Sequence, residues 1–489
     1  MAKNRCPLQS YDENSIPCRF DHQHMTLIKS ISGIRGTIGG RPGEGLTPLD
    51  IVKFTAAFGT WAMHHSRVTG QRPTMVVGRD ARVSGELVDS IVCSTLNALG
   101  IDVVNAGLAT TPTVEMAVPY CKAIAGIILT ASHNPGQWNA LKLLNQDGEF
   151  ISGKEGEEVL VLAAQEMFEF VTADKLGRSS RKDFLDYHIA KVLELPQVDR
   201  GLISHAGITI VLDAVNSVGG IAIPALLKAL GVKKVICINC VPDGIFAHNP
   251  EPLPEHLGTL SEEVVKNGAQ LGVAVDPDVD RLALVNEDGT FFGEEYTLVA
   301  VADYILSAGA GNTVSNLSSS RALRIITENH GGSYLATPVG EVHVVKGMKD
   351  TEAIIGGEGN GGIIFPALHY GRDALVGIAL FLSHYAKSKK TMTALRAGYP
   401  VFAMAKKKID LPAGTDVDRI FNAIRKAYSS YPVITSDGLK IEFPGGWVHL
   451  RKSNTEPIIR VYSEAPSALE ADELGTRFTH EILDFVKNC

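Results

Sequence analysis

Short apolar runs alternate with longer helical stretches along most of this chain. In one part, apolar runs at 75–78, 101–105 and 123–129 are separated by two segments with helical periodicity, 85–99 and 113–120. Buried strands that alternate with helices are typical of a mainly parallel sheet with helices packed on its faces. The pattern therefore predicts an α/β domain in this part of the chain.

The same order of elements recurs twice further along. The predicted strands and helices are 208–212, 221–230, 234–238, 271–275 and 282–285 in a second unit, and 313–317, 319–330, 334–337 and 353–356 in a third. The final part differs, since its predicted elements are strands 405–410, 447–451 and 458–462, a helix near 417–428, a turn at 437–438 and a C-terminal helix. That order favours a small α+β domain with a more antiparallel sheet.

We therefore predict an α/β protein with three α/β domains, whose sheets are mixed and mainly parallel, followed by a C-terminal α+β domain. The 489 residues exceed what one hydrophobic core organises, which agrees with several domains. The predicted divisions are a disordered N-terminal extension over 1–24 and domains over 25–185, 186–295, 296–400 and 401–489. The extension is predicted because its residues are polar and lack periodicity.

Composition narrows the class of protein. The chain has 46 basic and 54 acidic residues and a net charge of −8, so we expect neither a nucleic-acid partner nor an anionic membrane. No apolar stretch approaches the ~20 residues of a membrane-spanning helix, and we expect a cytoplasmic protein. Seven scattered cysteines are typical of reduced thiols, and Cys237 and Cys240 are interpreted as ordinary thiols rather than a metal or redox pair.

A hydroxyl group follows the apolar run 123–129 on a tight turn. The turn, 130–135, reads Thr-Ala-Ser-His-Asn-Pro and places Ser132 at the end of a predicted buried strand. Sites in α/β proteins usually lie at such strand ends, so Ser132 is a candidate nucleophile. The alternative is an ordinary turn, because turns favour Ser, Asn and Pro for backbone reasons alone.

Carboxylates occupy every second position of the segment 276–281, between two apolar strands. Asp276, Asp278 and Asp280 offer three oxygen ligands from one short loop, an arrangement that suits Mg²⁺. Arg281 follows directly and could neutralise a phosphoryl oxygen beside the metal. The alternative is a solvated acidic turn, which the buried flanking strands disfavour.

Two later loops carry hydrogen-bonding side chains. The glycine-rich segment 356–362 contains Glu358 and Asn360, which suit sugar hydroxyls, and it lacks the spacing of a dinucleotide fingerprint. Read alone, it could equally be a flexible turn. The segment 451–457, with Arg460 beyond, concentrates donors that suit a phosphate dianion, and the alternative is a solvated hairpin tip.

A polar loop follows the first strand of the first unit. The segment 77–84 contains Arg79, Asp80, Arg82 and Ser84, and we expect its arginine and aspartate side chains to pair and brace neighbouring loops.

These loops together resemble the α-D-phosphohexomutase superfamily, the phosphoglucomutase/phosphomannomutase family. The matching segments, in the family's order, are 32–36, 78–84, 130–135 with Asn139 and Lys142, 276–281, 358–361 and 451–457. The resemblance implies four domains around a central cleft, each of which contributes one loop. Segments 357–365 and 369–373 look most like a bacterial phosphoglucosamine mutase branch.

The resemblance also implies roles for individual residues. Ser132 would be the phosphoserine, and one Mg²⁺ would be held by its oxygen together with Asp276, Asp278 and Asp280. Glu358 and Asn360 would hold sugar hydroxyls. The phosphate that is not reacting would be bound by Arg451, Ser453, Asn454, Thr455 and Arg460. The further catalytic candidates are Lys142, Arg35, Arg281 and His133, although His133 need not act as a base for Ser132.

The implied reaction interconverts a hexose 6-phosphate and a hexose 1-phosphate through a 1,6-bisphosphate. We favour glucosamine phosphate as the substrate, with glucosamine or glucose 1,6-bisphosphate as activator. The alternative is a phosphomannomutase/phosphoglucomutase, and the expected partners are small hexose phosphates bound by a monomer or homodimer. A remote alternative is a haloacid-dehalogenase-like phosphatase, in which Asp276 would be the nucleophile because it follows an apolar strand as Asp-x-Asp-x-Val.

Overall fold

The structure is a computed structural model that describes residues 26–30, 33–68, 70–412, 414–452 and 458–487. The predicted N-terminal extension lies outside the described residues, and so do the predicted phosphate-binding residues Ser453, Asn454 and Thr455. Among the described helices, none is both long enough and apolar enough to cross a membrane.

The first domain is built on a seven-stranded mixed sheet. Its strands are β1 (Ile28–Ser30), β2 (Gly33–Thr37), β3 (Thr74–Arg79), β4 (Asp102–Leu108), β5 (Ala125–Leu129), β6 (Trp138–Leu144) and β7 (Ser179–Arg181), in the order β1-β2-β6-β5-β3-β4-β7. The helices are α1 (Pro48–His65), α2 (Gly85–Ala98), α3 (Thr111–Tyr120) and α4 (Gly153–Gln165). Strands β5, β3, β4 and β7 run parallel, whereas β1, β2 and β6 pair antiparallel.

The second domain has a four-stranded sheet in the order β11-β10-β8-β9. Its elements are α5 (Leu185–Glu194), α6 (Arg200–His205), β8 (Thr209–Asp213), α7 (Gly219–Leu230), β9 (Lys234–Ile238), α8 (Gly258–Lys266), β10 (Leu271–Val275) and β11 (Leu282–Asn286). All residues of β10 and β11 are buried, which explains why these segments read as continuous apolar runs.

The third domain repeats this arrangement with the sheet order β13-β12-β14-β15. Its elements are α9 (Glu294–Leu306), β12 (Thr313–Asn316), α10 (Arg321–Asn329), β13 (Tyr334–Thr337), α11 (Glu341–Asp350), β14 (Ile355–Glu358), β15 (Gly362–Ile364), α12 (Ala374–Ser388) and α13 (Met392–Arg396). In both domains the last strand is a short antiparallel return, β11 on β10 and β15 on β14. Each of these returns follows a polar turn.

The fourth domain is α+β, with an antiparallel sheet in the order β16-β20-β19-β18-β17. Its elements are β16 (Ala403–Asp410), α14 (Val417–Ala427), β17 (Val433–Ile434), β18 (Leu439–Phe443), β19 (Gly446–Lys452), β20 (Ile458–Ala465) and α15 (Ala468–Lys487). The predicted fold class, three α/β domains with mixed sheets and a C-terminal α+β domain, is confirmed.

The apolar cores do not divide into four equal parts. One continuous core contains residues of both the second and the third domain, such as Leu226, Leu284, Phe292 and Phe381. The first domain has apolar clusters on the two faces of its sheet, and the fourth domain has its own. The loops that follow β10 and β14 are therefore carried by domains that share one core.

Candidate active site

The Ser132 turn lies at the carboxyl end of β5, as the sequence predicted. Ser132 has a φ of 48°, in the left-handed region that non-glycine residues rarely adopt. Its backbone N–H donates to Thr130 Oγ1 at 2.9 Å, and its Oγ donates to Asp276 Oδ2 at 2.7 Å. The turn thus directs the hydroxyl of the first domain onto a carboxylate of the second.

Arg82 fixes the shape of this turn. Its buried guanidinium donates to four backbone carbonyl groups of the serine loop, those of Ser132, Asn134, Pro135 and Trp138. Its Nε also donates to Asp80 Oδ2 at 2.9 Å, and Thr130 Oγ1 donates to the same carboxylate oxygen at 2.6 Å. The predicted pairing of arginine and aspartate in this polar loop is confirmed, and the loop that the pair braces is the one that carries Ser132.

Three buried aspartates face the serine from the loop after β10. One carboxylate oxygen from each of Asp276, Asp278 and Asp280 lies within 4.8 Å of the others. Asp276 Oδ1 accepts hydrogen bonds from the backbone N–H groups of Asp280 and Arg281, both at 3.1 Å. A left-handed residue, Val279 at φ 63°, folds the loop so that all three carboxylates point to one side.

Lys142, on β6, neutralises part of this charge. Its Nζ donates to Asp278 Oδ2 at 2.7 Å and lies 3.4 Å from Asp280 Oδ2. Burial opposes the ammonium, but the two aspartates outweigh it and raise the pKa of Lys142. Burial likewise favours the neutral form of Asp278, yet Lys142 and Thr111 hold the pKa of that carboxyl below its usual range. Lys142 is therefore a fixed positive charge.

The aspartate cluster contains carboxylate oxygens that the described residues leave without hydrogen-bond partners. Burial, reinforced by Asp280 and Asp278, raises the pKa of Asp276 well above its usual range. Asp278 Oδ1 and Asp280 Oδ1 are buried oxygens without a hydrogen-bond donor among the described residues. Buried polar atoms are rarely left in this state, and three convergent carboxylates are suitable ligands for a divalent cation. The residues present thus fit a hard metal ion.

Two arginines beside the aspartate cluster have buried N–H donors that lack acceptors. Arg35 Nε on β2 and Arg281 Nε are buried donors without an acceptor among the described residues. Burial and the nearby Arg281 lower the pKa of Arg35, and burial and Arg281 also lower the pKa of His133 well below its usual value. His133 Nδ1 lies 3.5 Å from Ser132 Oγ, and its neutral ring adds no charge. The unused donors suit an anion placed next to Ser132.

The predicted sugar loop lies between β14 and β15. Glu358 is buried, and its carboxylate accepts hydrogen bonds from Asn316 Nδ2 at 2.9 Å, Gly340 N at 3.2 Å and Arg372 Nη1 at 2.8 Å. Asn360 is half-buried, and its Oδ1 accepts from Gly362 N at 3.2 Å. The protein itself therefore engages Glu358, whereas the side chain of Asn360 retains hydrogen-bonding groups.

Close packing explains part of the glycine content of this loop. Gly361 has a φ of +83°, and a Cβ atom there would lie 2.2 Å from the carbonyl oxygen of Leu282 on β11. The Leu282 N–H donates to the Gly361 carbonyl at 3.1 Å. The loop is thus packed directly against the strand that leaves the aspartate loop, an approach that only glycine permits.

Arg372 is a site residue to which the sequence reasoning assigned no role. It donates to Asp280 Oδ2 at 2.7 Å, to Glu358 Oε2 at 2.8 Å and to Glu341 Oε2 at 3.0 Å. One side chain therefore joins the aspartate loop of the second domain to the sugar loop of the third. The available signal was an Arg-Asp pair directly before the apolar helix α12.

The described contacts of the predicted phosphate-binding arginines, Arg451 and Arg460, are within the fourth domain. Arg451, at the end of β19, donates to Asp437 Oδ2 at 2.8 Å, and the exposed Arg460 is its register partner on β20. The fourth domain docks on the loop between β12 and α10, where Ser318 Oγ and His449 Nδ1 are 2.9 Å apart. Asn316, the last residue of β12 before this loop, holds Glu358.

Comparisons with known proteins identify the class of enzyme. Segments 27–169, 186–289 and 293–402 match the alpha/beta/alpha domains I, II and III of the phosphoglucomutase/phosphomannomutase family, and 402–481 matches its C-terminal domain. An intramolecular phosphotransferase is the class that these matches define. More particularly, the chain belongs to the phosphoglucomutase/phosphomannomutase family within the α-D-phosphohexomutase superfamily, which confirms the resemblance read in the sequence.

Similar proteins extend over nearly the whole chain. A phosphoglucomutase/phosphomannomutase of Thermococcus kodakarensis is 36% identical over 92% of this chain and 98% of its own length. A protein of Methanopyrus kandleri named "Probable phosphoglucosamine mutase" is 32% identical over 94% of this chain and 97% of its own. The crystal structure of a phosphoglucomutase/phosphomannomutase family protein from Burkholderia thailandensis, 26% identical, superposes with a TM-score of 0.80 and covers 94% of this chain and 98% of its own.

Proposed function

We propose that the protein interconverts a hexose 6-phosphate and a hexose 1-phosphate by way of a phosphorylated Ser132 and a hexose 1,6-bisphosphate. The observation that carries the proposal is the position of Ser132 Oγ, 2.7 Å from Asp276 in a buried cluster with unused carboxylate oxygens and unused guanidinium donors. A phosphoryl group on Ser132, together with one cation, would satisfy both deficits. Phosphoryl transfer depends mainly on such positioning and charge neutralisation.

In this proposal the cation is Mg²⁺, held by Asp276, Asp278 and Asp280 together with an oxygen of the phosphoserine. When bound, it would draw charge from the phosphoryl oxygens. Arg35 and Arg281 would donate to the remaining oxygens from the sides where their Nε atoms lack acceptors. Lys142 would contribute as a fixed charge that orients Asp278, because its ammonium is held protonated.

The sugar is proposed to lie against the loop that contains Glu358 and Asn360. Arg372 holds the carboxylate of Glu358 in place, so Asn360 has the greater freedom to discriminate between substrates. The second phosphate of the bisphosphate would be bound by the fourth domain through Arg451, Arg460 and the neighbouring Ser453, Asn454 and Thr455. Binding at two ends allows the intermediate to turn over while it is retained, so that each phosphate in turn faces Ser132.

For the substrate we propose glucosamine 6-phosphate and glucosamine 1-phosphate. Segments 357–365 and 369–373 support this choice by their resemblance to phosphoglucosamine mutases, and so does the name of the Methanopyrus kandleri relative. A phosphoglucomutase/phosphomannomutase is the second candidate, supported by the name of the Thermococcus kodakarensis relative. A phosphatase with Asp276 as nucleophile has less support, because it would leave Ser132, which donates to Asp276 Oδ2 at 2.7 Å, and the loop after Arg451 without a role.

A labelling experiment tests the phosphoserine. Incubation with glucose 1,6-bisphosphate that carries ³²P is expected to leave acid-stable, alkali-labile label on Ser132, and Ser132→Ala is the matched control that takes up none. Label that hydroxylamine removes from Asp276 would establish the phosphatase-type nucleophile instead.

A kinetic comparison tests the substrate. The measurement is kcat/KM for the 1-phosphates of glucosamine, glucose and mannose, each assayed with its 1,6-bisphosphate or that of glucose as activator. The highest value is expected for glucosamine 1-phosphate. A clear preference for mannose 1-phosphate would reject the glucosamine assignment and leave the mutase assignment intact.

A further inference from the structure

A second group of side chains with metal-ligand chemistry lies where the first three domains meet. His188 on α5 and Asp373 at the start of α12 are completely buried, and His369 lies four positions before Asp373 in the loop that precedes α12. Asp373 Oδ2 is 2.9 Å from His188 Nε2 and 3.3 Å from His369 Nε2. All three ligand atoms fall within 4.8 Å of one another.

These separations match a small metal coordination sphere. The ligand atoms of a tetrahedral zinc ion, with bonds of about 2.0–2.1 Å, lie roughly 3.3 Å apart. Two imidazole nitrogens and a carboxylate oxygen are common zinc ligands, whereas Mg²⁺ prefers oxygen alone. The chemistry of this group therefore differs from that of the three aspartates beside Ser132.

Each of the three side chains is also anchored away from the common centre. His188 Nδ1 lies 2.9 Å from Thr113 Oγ1, and Asp373 Oδ1 accepts from the N–H groups of Leu375 at 2.7 Å and Val376 at 3.3 Å. Such contacts orient ligands in metal sites, since the second nitrogen of a ligating histidine usually donates to a protein acceptor. The atoms left facing the centre are the two Nε2 atoms and Oδ2.

Glu115 is a second buried group whose hydrogen-bonding capacity is not used by the described residues. This residue on α3 is 2% exposed, and neither of its carboxylate oxygens receives a hydrogen bond from the described residues. Its Oε2 lies 3.4 Å from His369 Nδ1, and a Cβ atom at Gly371 would lie 1.9 Å from the same oxygen. A buried carboxylate without a donor is costly, and a metal on the far nitrogen of His369 would strengthen its pairing with that ring.

We propose that His188 Nε2, His369 Nε2 and Asp373 Oδ2 bind a structural Zn²⁺ ion, with Thr113 and Glu115 orienting the two imidazoles. The ligands come from the second and third domains and the orienting groups from the first. The ion would therefore lock the three domains in the arrangement that brings Ser132 to the aspartate loop. Without an ion, the same residues form a hydrogen-bonded His-Asp-His chain.

Zinc content is the direct test. The full-length protein is stripped of metal with EDTA and dialysed against excess Mg²⁺ with a small amount of Zn²⁺. Bound metal is then measured by inductively coupled plasma mass spectrometry, and the midpoint of thermal unfolding is measured with and without Zn²⁺. We expect the wild type to bind one more zinc ion per chain than His369→Gln, and we expect zinc to raise the midpoint of the wild type alone.

Matched controls separate this site from other zinc ligands. His248→Gln alters a histidine that also pairs with a carboxylate, Asp213 at 3.2 Å, without a second imidazole, and it should keep the full zinc content. The double variant Cys237→Ser, Cys240→Ser should also keep it. Equal zinc content in the wild type and His369→Gln, or loss of the zinc in the cysteine variant, overturns the proposal. His369→Gln is the main variant because its side chain is partly exposed, and His188→Gln repeats the test.

Discussion

The two halves of the candidate site differ in how far the protein satisfies its own charges. In the phosphoryl half, formed by Ser132, the aspartate loop, Arg35 and Arg281, buried carboxylate oxygens and guanidinium nitrogens lack partners among the described residues. In the sugar half, formed by Glu358, Asn360, Glu341 and Arg372, three ion pairs surround Arg372. The first half has charged atoms that await partners, whereas the charged groups of the second half are already paired with one another.

Arg372 is the link between these halves. It belongs to the sugar half by its contacts with Glu358 and Glu341, and it reaches Asp280 in the phosphoryl half. The second and third domains also share one apolar core, so the aspartate loop and the sugar loop rest on one packed body. The first domain reaches this body through hydrogen bonds such as those of Ser132 to Asp276 and of Lys142, on β6, to Asp278.

The largest expected effect is the loss of the phosphoryl carrier. Ser132→Ala should lower kcat for glucosamine 1-phosphate by at least ~10³-fold, because the variant lacks the hydroxyl that carries the phosphoryl group in the proposed reaction. A coupled assay of glucosamine 6-phosphate formation measures this. Ser84→Ala, which removes only a hydroxyl that accepts a hydrogen bond from Asn139, is the control and should retain activity. A variant at 132 that kept a tenth of the activity would end the phosphoserine proposal.

The strands that precede the site loops could be predicted because each is a short, continuous apolar run in the sequence. Strands β5 and β10 are fully buried and apolar, and the turns that follow them contain the serine and the aspartates. The strand β6, which supplies Lys142, was not predicted as a strand. It follows the serine turn directly and pairs antiparallel with β5, so it does not fit the alternation of strands and helices that guided the prediction.

The contacts between loops could not be read from local patterns. Ser132 and Asp276 are 144 positions apart, and Arg372 lies 92 positions from Asp280. Only a known family order suggested that the first pair would meet, and the resemblance of segment 369–373 assigned no contact to Arg372. The role of Arg372 was not predicted, because an arginine just before a helix is usually exposed to solvent. Its three acidic partners also lie on three separate segments of the chain.

The next effect in size tests whether the two halves depend on Arg372. Arg372→Ala would leave Asp280, Glu341 and Glu358 without their shared cation, so the free energy of unfolding should fall by about 3–5 kcal/mol. We expect kcat/KM of Arg372→Ala to fall ~10²-fold. The kcat/KM of Arg372→Lys should lie between those of the wild type and Arg372→Ala, because a lysine ammonium keeps the charge but cannot reproduce the planar, multidentate guanidinium.

Urea denaturation and steady-state kinetics measure these changes at Arg372. The control is Arg324→Ala, which removes an exposed arginine paired with Glu328 at 2.8 Å and should change the unfolding free energy by less than ~1 kcal/mol. If Arg372→Ala were as stable and active as that control, the bridge between the halves would have no energetic role.

A smaller effect concerns the pH dependence behind the sugar loop. Burial, with Glu294 nearby, raises the pKa of Glu295 to about 8, and its Oε2 accepts from Ser320 N at 2.8 Å. The folded protein keeps this proton up to about pH 8, whereas the unfolded chain loses it near 4.5. The folded state thus binds more protons in that window, so the contribution is complete below pH 4.5 and is lost as the pH rises through 8.

Glu295→Gln isolates this contribution, since the amide resembles the protonated acid in shape and has no charge to lose. Between pH 5 and pH 8.5, the unfolding free energy of the wild type should fall by about 3–4 kcal/mol relative to that of the variant, since one pKa unit corresponds to about 1.4 kcal/mol. Urea denaturation at several pH values measures the difference. Parallel pH profiles would mean that Glu295 is already ionised in the folded protein at pH 5, so that a buried charge lies beside Gly359 of the sugar loop.

The smallest effect sharpens the sugar half itself. Asn360→Ser shortens a half-buried side chain whose Oδ1 accepts from Gly362 N, whereas Glu358 is held by Asn316, Gly340 and Arg372. We expect the ratio of kcat/KM between glucosamine 1-phosphate and glucose 1-phosphate to change by ~3- to 10-fold, with the unfolding free energy within ~0.5 kcal/mol of the wild type. An unchanged ratio would mean that Asn360 does not discriminate between the substrates. We would then assign the discrimination to the fourth domain, where the second phosphate is proposed to bind.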